Sequence, residues 1–144
     1  MEECLTLLES RFRQTLHPLM PADENLRRLT DAYYQFCLDD PNYFRLHMFC
    51  SLTDVKSKVS VEKMEQVGLQ CLKLCAEVIQ KGIEEGLFNQ TVDPWKGAAI
   101  LWSASEGIIS NFEMDPEKAK LFQLHVKELL NTNIELFIRG LKVV

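Results

Sequence analysis

Two sets of residues in this 144-residue sequence have types and spacings that could do chemistry. Trp102 and Glu106 stand four apart in a segment with few charges, so on a helix an indole N–H and a carboxylate share one face. An apolar setting with a few polar groups is the usual form of a small-molecule site. Tyr33, Phe36, Tyr43, His47, Cys71 and Cys75 on neighbouring segments are its candidate walls. If Glu106 is buried, its ionised form is costly, so it must protonate or meet a cationic group; that favours a lipophilic cation or a hydrogen-bonding aromatic ligand. The alternative is that Tyr33 and Phe36 are ordinary core and Glu106 is a hydrogen-bonded interface residue.

The second set is His47 with Cys50, three apart, and Cys71 with Cys75, four apart, which together would make a Cys₃His zinc site. The helical angles favour another reading. Cys75 lies opposite the polar stripe of its helix and Cys71 within about 40° of that direction, where free cysteines act as small core hydrophobes. No metal or cofactor is therefore expected. A reactive thiolate needs an electropositive, partly exposed setting, and these thiols read as buried. The six glycines form no G-x-G-x-x-G turn, and no serine sits in a G-x-S-x-G elbow. The sequence presents no catalytic constellation, and an enzyme is not expected.

The elements that would position these residues are helical throughout. Six helices are predicted, because proline and glycine punctuate apolar runs of period near 3.6 and no run alternates for long. The first covers about Glu2 to Leu16, and the second starts near Asp23 as cap and ends by Asp39-Asp40-Pro41. A short third runs from Asn42 to Ser51, followed by a polar loop from Thr53 to Lys58. The fourth, about Val61 to Glu85 after a cap at Ser60, has one narrow polar stripe and should be the central post, closed by Gly86 as a left-handed cap. Asp93-Pro94 and Asp115-Pro116 each place an acidic cap before proline at the first helical position. They open a fifth helix to Phe112 and a sixth to about Leu141.

Neither of the last two helices has a broad charged face, so a second copy of the chain is the simplest cover. A two-fold pairing of both would form a four-helix bundle. Its expected residues are Ala98, Leu101, Ser105, Ile108, Phe112, Phe122, Val126, Leu130 and Phe137.

Length and composition set the remaining bounds. One domain over 1–144 is expected. Hydrophobic residues at 47% with 26% charged exclude a disordered or low-complexity chain. Sixteen Lys plus Arg against 21 Asp plus Glu give a net charge of −5, which leaves no positive excess to neutralise phosphates. No run approaches the roughly 20 apolar residues a bilayer requires, and the acidic start is unlike a signal peptide. A cytoplasmic protein with five reduced cysteines and no membrane association is expected.

Three segments then bring a family into view: Asp40-Pro41-Asn42-Tyr43-Phe44-Arg45-Leu46, Gly82-Ile83-Glu84-Glu85-Gly86-Leu87-Phe88, and Ala98-Ala99-Ile100-Leu101-Trp102 leading to Glu106-Gly107-Ile108-Ile109. With the six-helix order, the sequence resembles the C-terminal effector-binding and dimerisation domain of TetR-family transcriptional regulators. The resemblance implies an all-α ligand-binding domain, a homodimer closed by the last two helices, and a small hydrophobic or aromatic effector that controls DNA binding, most commonly in a repressor. TetR-type regulators begin with a helix-turn-helix domain, whereas Met1-Glu2-Glu3-Cys4-Leu5 looks like the middle of the helix linking the two domains. DNA would be contacted only through that N-terminal domain. The competing reading is a helical dimerisation module whose core is filled by its own side chains.

Overall fold

The computed structural model describes residues 2–42 and 58–143, with side chains described for 7–42 and 68–143. Among the described residues the fold is all-α, with one isolated antiparallel bridge between Phe88 and Lys142. Helix α1 spans Glu2–Thr15, α2 Ala22–Asp39, α3 Lys58–Glu84, α4 Pro94–Ile108, α5 Pro116–Phe122 and α6 Val126–Leu141; α4 continues into a π turn, Ile109–Glu113. The short helix expected over 42–51 and most of the expected loop after it lie outside the described residues.

Local chemistry explains where the helices begin. Asp93 Oδ1 accepts from the backbone N–H groups of Trp95 and Lys96 at 3.0 and 3.1 Å, and Asp115 Oδ1 accepts from Lys118 N–H at 3.1 Å, each with proline at the first helical position. Two expected caps are corrected. Helix α2 starts at Ala22 after Pro21, which leaves Asp23 in the first turn, because fully buried Ala22 is packed inside the core. Helix α3 is already helical at Lys58, so Ser60 is an interior residue; no glycine or proline in 58–61 halts the helix.

Helix ends follow backbone conformation. Gly86 takes φ +77° and closes α3 with bonds from Gly86 N–H to Ile83 O and from Leu87 N–H to Gly82 O, at 3.0 and 2.9 Å. The same pattern breaks the expected sixth helix in two. Gln123 takes φ 55°, Gln123 N–H reaches Lys120 O and Leu124 N–H reaches Ala119 O. Phe122 and Val126 would share a face on an unbroken helix. The break instead leaves Phe122 exposed and buries Val126 at the head of the stripe Leu130, Ile134, Ile138 and Leu141.

Helix α3 packs against α1, α2 and α4, the position of the central post, and α6 packs on α2 and α4. Phe88, fully buried, lies against Gly82, where a Cβ would collide with its ring and come within 3.0 Å of Ala22 Cβ. The chain end is tied to this corner by Asn89 N–H donating to Leu141 O at 2.7 Å. Arg27 joins α2 to α6 through Nε to Glu135 Oε1 at 2.6 Å, and its guanidinium holds the Glu135 carboxyl below the usual range.

Candidate functional site

Three aromatic rings from three helices meet between α1, α2 and α4. Tyr33 and Trp102 have ring centroids 4.6 Å apart, and Phe12 sets its edge to both, at 6.5 Å from Tyr33 and 6.0 Å from Trp102. Edge-to-face and tilted geometries of this kind place positive ring edges against negative faces. Glu106, one turn after Trp102, ties two of the rings together. Its Oε1 accepts from Trp102 Nε1 at 2.6 Å and from Tyr33 Oη at 3.3 Å.

A second tyrosine–glutamate bond stands beside the first: Tyr34 Oη donates to Glu113 Oε2 at 3.1 Å. Tyr33 and Tyr34 are consecutive on α2 and point about 100° apart. The π turn, which rotates less per residue than an α-helix, brings Glu113 round to the second tyrosine. Asn111 Nδ2 donates to Gly107 O at 2.7 Å, giving a carbonyl at the entrance of the widened turn an extra donor. Burial and the nearby Glu113 push the Tyr34 phenol up to about 12.

Beside the rings is an apolar cavity of about 20 Å³, lined by Phe12, Leu29, Thr30, Tyr33, Cys75, Leu101, Trp102 and Ser105. That is room for about one water-sized molecule, far below the roughly 300 Å³ at which drug-sized ligands are held. Any larger guest must displace wall side chains. Burial pushes the thiols of Cys37, Cys71 and Cys75 up to about 12, so they stay neutral near pH 7 and serve as packing groups rather than nucleophiles.

Of the candidate ligand residues, Tyr33, Cys75 and Trp102 line the cavity and Glu106 bonds two of its walls. Phe36 and Cys71 are buried core residues outside the lining, and the Arg11 guanidinium lies 5.8 Å over the Phe36 ring. Tyr43 and His47, with Cys50 of the zinc alternative, fall outside the described residues. Among the described residues no three His, Cys, Asp or Glu side chains cluster as metal ligands, and no helix is long and apolar enough to cross a membrane.

The nine expected interface residues divide by their burial within one protomer. Ala98, Leu101, Ser105, Val126 and Leu130 are buried within their own protomer, and Leu101 and Ser105 face the cavity. Ile108, Phe112 and Phe137 are half-buried against the core, while Phe122 is exposed. A helical wheel identifies an apolar face without identifying what meets it; here one apolar side of α4 and of α6 is buried inside the protomer, while Ile100 and Leu136 stay exposed. Phe12, Leu29 and Thr30 were not distinguishable in sequence from ordinary core. Their only signal was membership of the apolar faces of the first two helices.

Comparison with known proteins supports the same fold. The family model described as "Tetracyclin repressor-like, C-terminal domain" matches residues 23–115. A solved structure described as a protein with unknown function from Rhodococcus sp. RHA1 superposes with a TM-score of 0.78 at 16% identity, over 99% of this chain and 70% of that one. No curated protein matches the sequence. The chain therefore belongs to the tetracyclin repressor-like C-terminal domain family.

Proposed function

We propose that this chain is the effector-sensing and dimerisation domain of a TetR-like regulator, which binds a small apolar or aromatic molecule beside Trp102. The observation that carries the reading is the cavity itself: it is apolar, set among α1, α2, α3 and α4, and edged by two ring-borne hydrogen bonds that converge on one carboxylate oxygen. Domains of this family typically dimerise and bind ligands. A ligand can shift a conformational equilibrium only by its difference in affinity for the two arrangements. Phe12 supplies that difference, because it touches both rings and belongs to α1. A guest that separates Tyr33 from Trp102 must move Phe12, and α1 transmits the movement toward a DNA-reading domain joined at its N-terminal end. In a repressor, that displacement releases DNA.

The dimer face follows from what the protomer leaves uncovered. Trp95 and Ile100 of α4, Leu121 and Phe122 of α5, and Leu136 of α6 are large apolar side chains with 44–77% of their surface exposed. A Cβ at Gly97 would come within 3.2 Å of Ile79 Cδ1 and 3.7 Å of the Phe137 ring, so this side of α4 is packed against α3 and α6. A two-fold contact through the outer faces of these helices covers apolar surface that a monomer exposes to water.

The small size of the cavity favours a second reading, a dimeriser with a filled core. Titration with a varied library of small aromatic and aliphatic molecules separates the two. The readouts are Trp102 fluorescence in a Trp95→Phe background and thermal stability. The effector reading expects saturable changes in both for at least one ligand class; a flat response across the library supports the filled module.

A further inference from the structure

Among the described residues four helices supply the wall of the cavity beside Trp102, and no Lys, Arg, His, Asp or Glu belongs to it. Its surface is almost wholly apolar, although a threonine, a serine, a tyrosine and a tryptophan contribute to it. The polar atoms of these residues are turned to partners in the protein. Thr30 Oγ1 donates to Leu26 O at 3.1 Å and Ser105 Oγ to Leu101 O at 2.9 Å, each to the carbonyl four residues earlier in its own helix. The Trp102 indole N–H goes to Glu106 at 2.6 Å. What the wall turns toward the space is therefore chiefly carbon. Burial pushes the Cys75 thiol up to about 12, so near pH 7 it is neutral and packs as a small apolar group. Every lining residue is buried except Trp102, which is partly so, and a guest must leave most of its water outside.

We infer that the cavity selects a small hydrocarbon without a polar group and rejects the hydroxylated, cationic and carboxylated analogues of that hydrocarbon. The inference rests on the effector reading above and narrows its ligand to one chemical class. The spacing of Trp102 and Glu106 in the sequence suggests a cationic or hydrogen-bonding guest. In the fold, Glu106 is bonded to the Trp102 and Tyr33 side chains and is not among the lining residues. A hydroxyl carried into the space loses its water and meets carbon, which leaves it without a hydrogen bond. A charged group meets no counter-ion on the wall and loses more. Hydrocarbon surface has no such cost and gains contact with the rings and with Leu29 and Leu101. An apolar space of this kind stays dry and takes up apolar guests when its size allows.

Four molecules built on one ring provide the test: toluene, phenol, benzylamine and benzoate. Each is titrated at neutral pH into the Trp95→Phe protein and into the same protein carrying Leu101→Ala, which removes a lining side chain and enlarges the cavity; Leu29→Ala replaces it if that variant does not fold. Fluorescence of Trp102 and calorimetry give the affinities. Toluene is expected to bind at least about ten-fold tighter than phenol, and tighter still relative to benzylamine and benzoate. Thr30→Val and Ser105→Ala are expected to leave the toluene-to-phenol ratio unchanged, because neither hydroxyl meets the guest. Phenol, benzylamine or benzoate binding as tightly as toluene overturns the hydrocarbon rule while the effector reading stands. A phenol affinity that falls selectively when either hydroxyl is removed also overturns the rule alone. Failure of all four molecules in every protein, enlarged variants included, overturns the rule and the effector reading together.

Discussion

Trp102 Nε1 stands 2.6 Å from Glu106 Oε1, one helical turn away on α4. This bond fixes the indole plane that forms one wall of the cavity. It also satisfies a half-buried N–H that the surrounding apolar side chains cannot satisfy. Tyr33 shares the same oxygen, so a single carboxylate orients the two rings on which the effector reading depends.

Replacing Glu106 by leucine leaves the Trp102 and Tyr33 donors without this acceptor. Removing the partner of buried donors costs about 1–3 kcal/mol, more than the net worth of the bonds themselves. Glu106→Leu should therefore unfold at lower urea, whereas Glu106→Gln, which keeps an acceptor oxygen, should lose less than half as much. Equal losses in the two variants would show that Glu106 does not act by accepting these protons.

Gly82 and Gly68 give a contrast within α3. A Cβ at Gly82 would collide with the Phe88 ring and crowd Ala22, both held in the core, whereas one at Gly68 meets nothing within 4 Å among the described residues. Gly82→Ala should destabilise by about 1–3 kcal/mol through overpacking. Gly68→Ala should stabilise by about 0.5–1 kcal/mol through helix propensity. Thermal melts of the two variants check the opposite signs.

The buried thiols set the alkaline limit. Cys37, Cys71 and Cys75 ionise at about 12 in the fold against an ordinary value of 9.0. Between those values the unfolded chain releases protons that the native chain retains. The thiol contribution is therefore complete below pH 9 and is lost as pH rises toward about 12, by up to about 1.4 kcal/mol per thiol per pH unit. Melting temperatures measured from pH 8 to 10.5 should fall above pH 9, less steeply in Cys75→Ala. In native protein Cys37, Cys71 and Cys75 should also resist thiol-alkylating reagents at pH 8, and they should react fully in urea.

These residues also mark how far sequence could reach. The Trp102–Glu106 pairing was legible because Asp93-Pro94 sets the start and phase of α4, and a four-residue spacing is local. Tyr33 was legible as an aromatic on the inward face of α2. Thr30 and Ser105 were not, because the cavity they line exists only once separate helices pack together. Leu101 and Ser105 were assigned to a two-fold face for a related reason: periodicity gives an azimuth, while the neighbour at that azimuth is a tertiary fact. The break at Gln123 had no glycine to announce it, and nothing in Ile109–Glu113 signals a π turn instead of an α turn.

The proposed dimer rests on side chains that the protomer leaves in water. Ile100→Glu combined with Leu136→Glu should convert the dimer to a monomer in sedimentation experiments at micromolar concentration, with the helical circular dichroism of each protomer retained. Val126→Glu, by contrast, should damage folding itself, since Val126 is already buried within one protomer. A double variant that remains dimeric would move the interface to another face.

Whether a guest lodges against Trp102 and Tyr33 is decided by nuclear magnetic resonance of the protein saturated with its best-binding small aromatic. Intermolecular Overhauser contacts are expected from the ligand to the rings of Phe12, Tyr33 and Trp102, with displacement of the Trp102 indole N–H resonance and shifts propagating along α1. A ligand whose contacts all fall elsewhere, with the Trp102 N–H resonance unmoved at saturation, would contradict it.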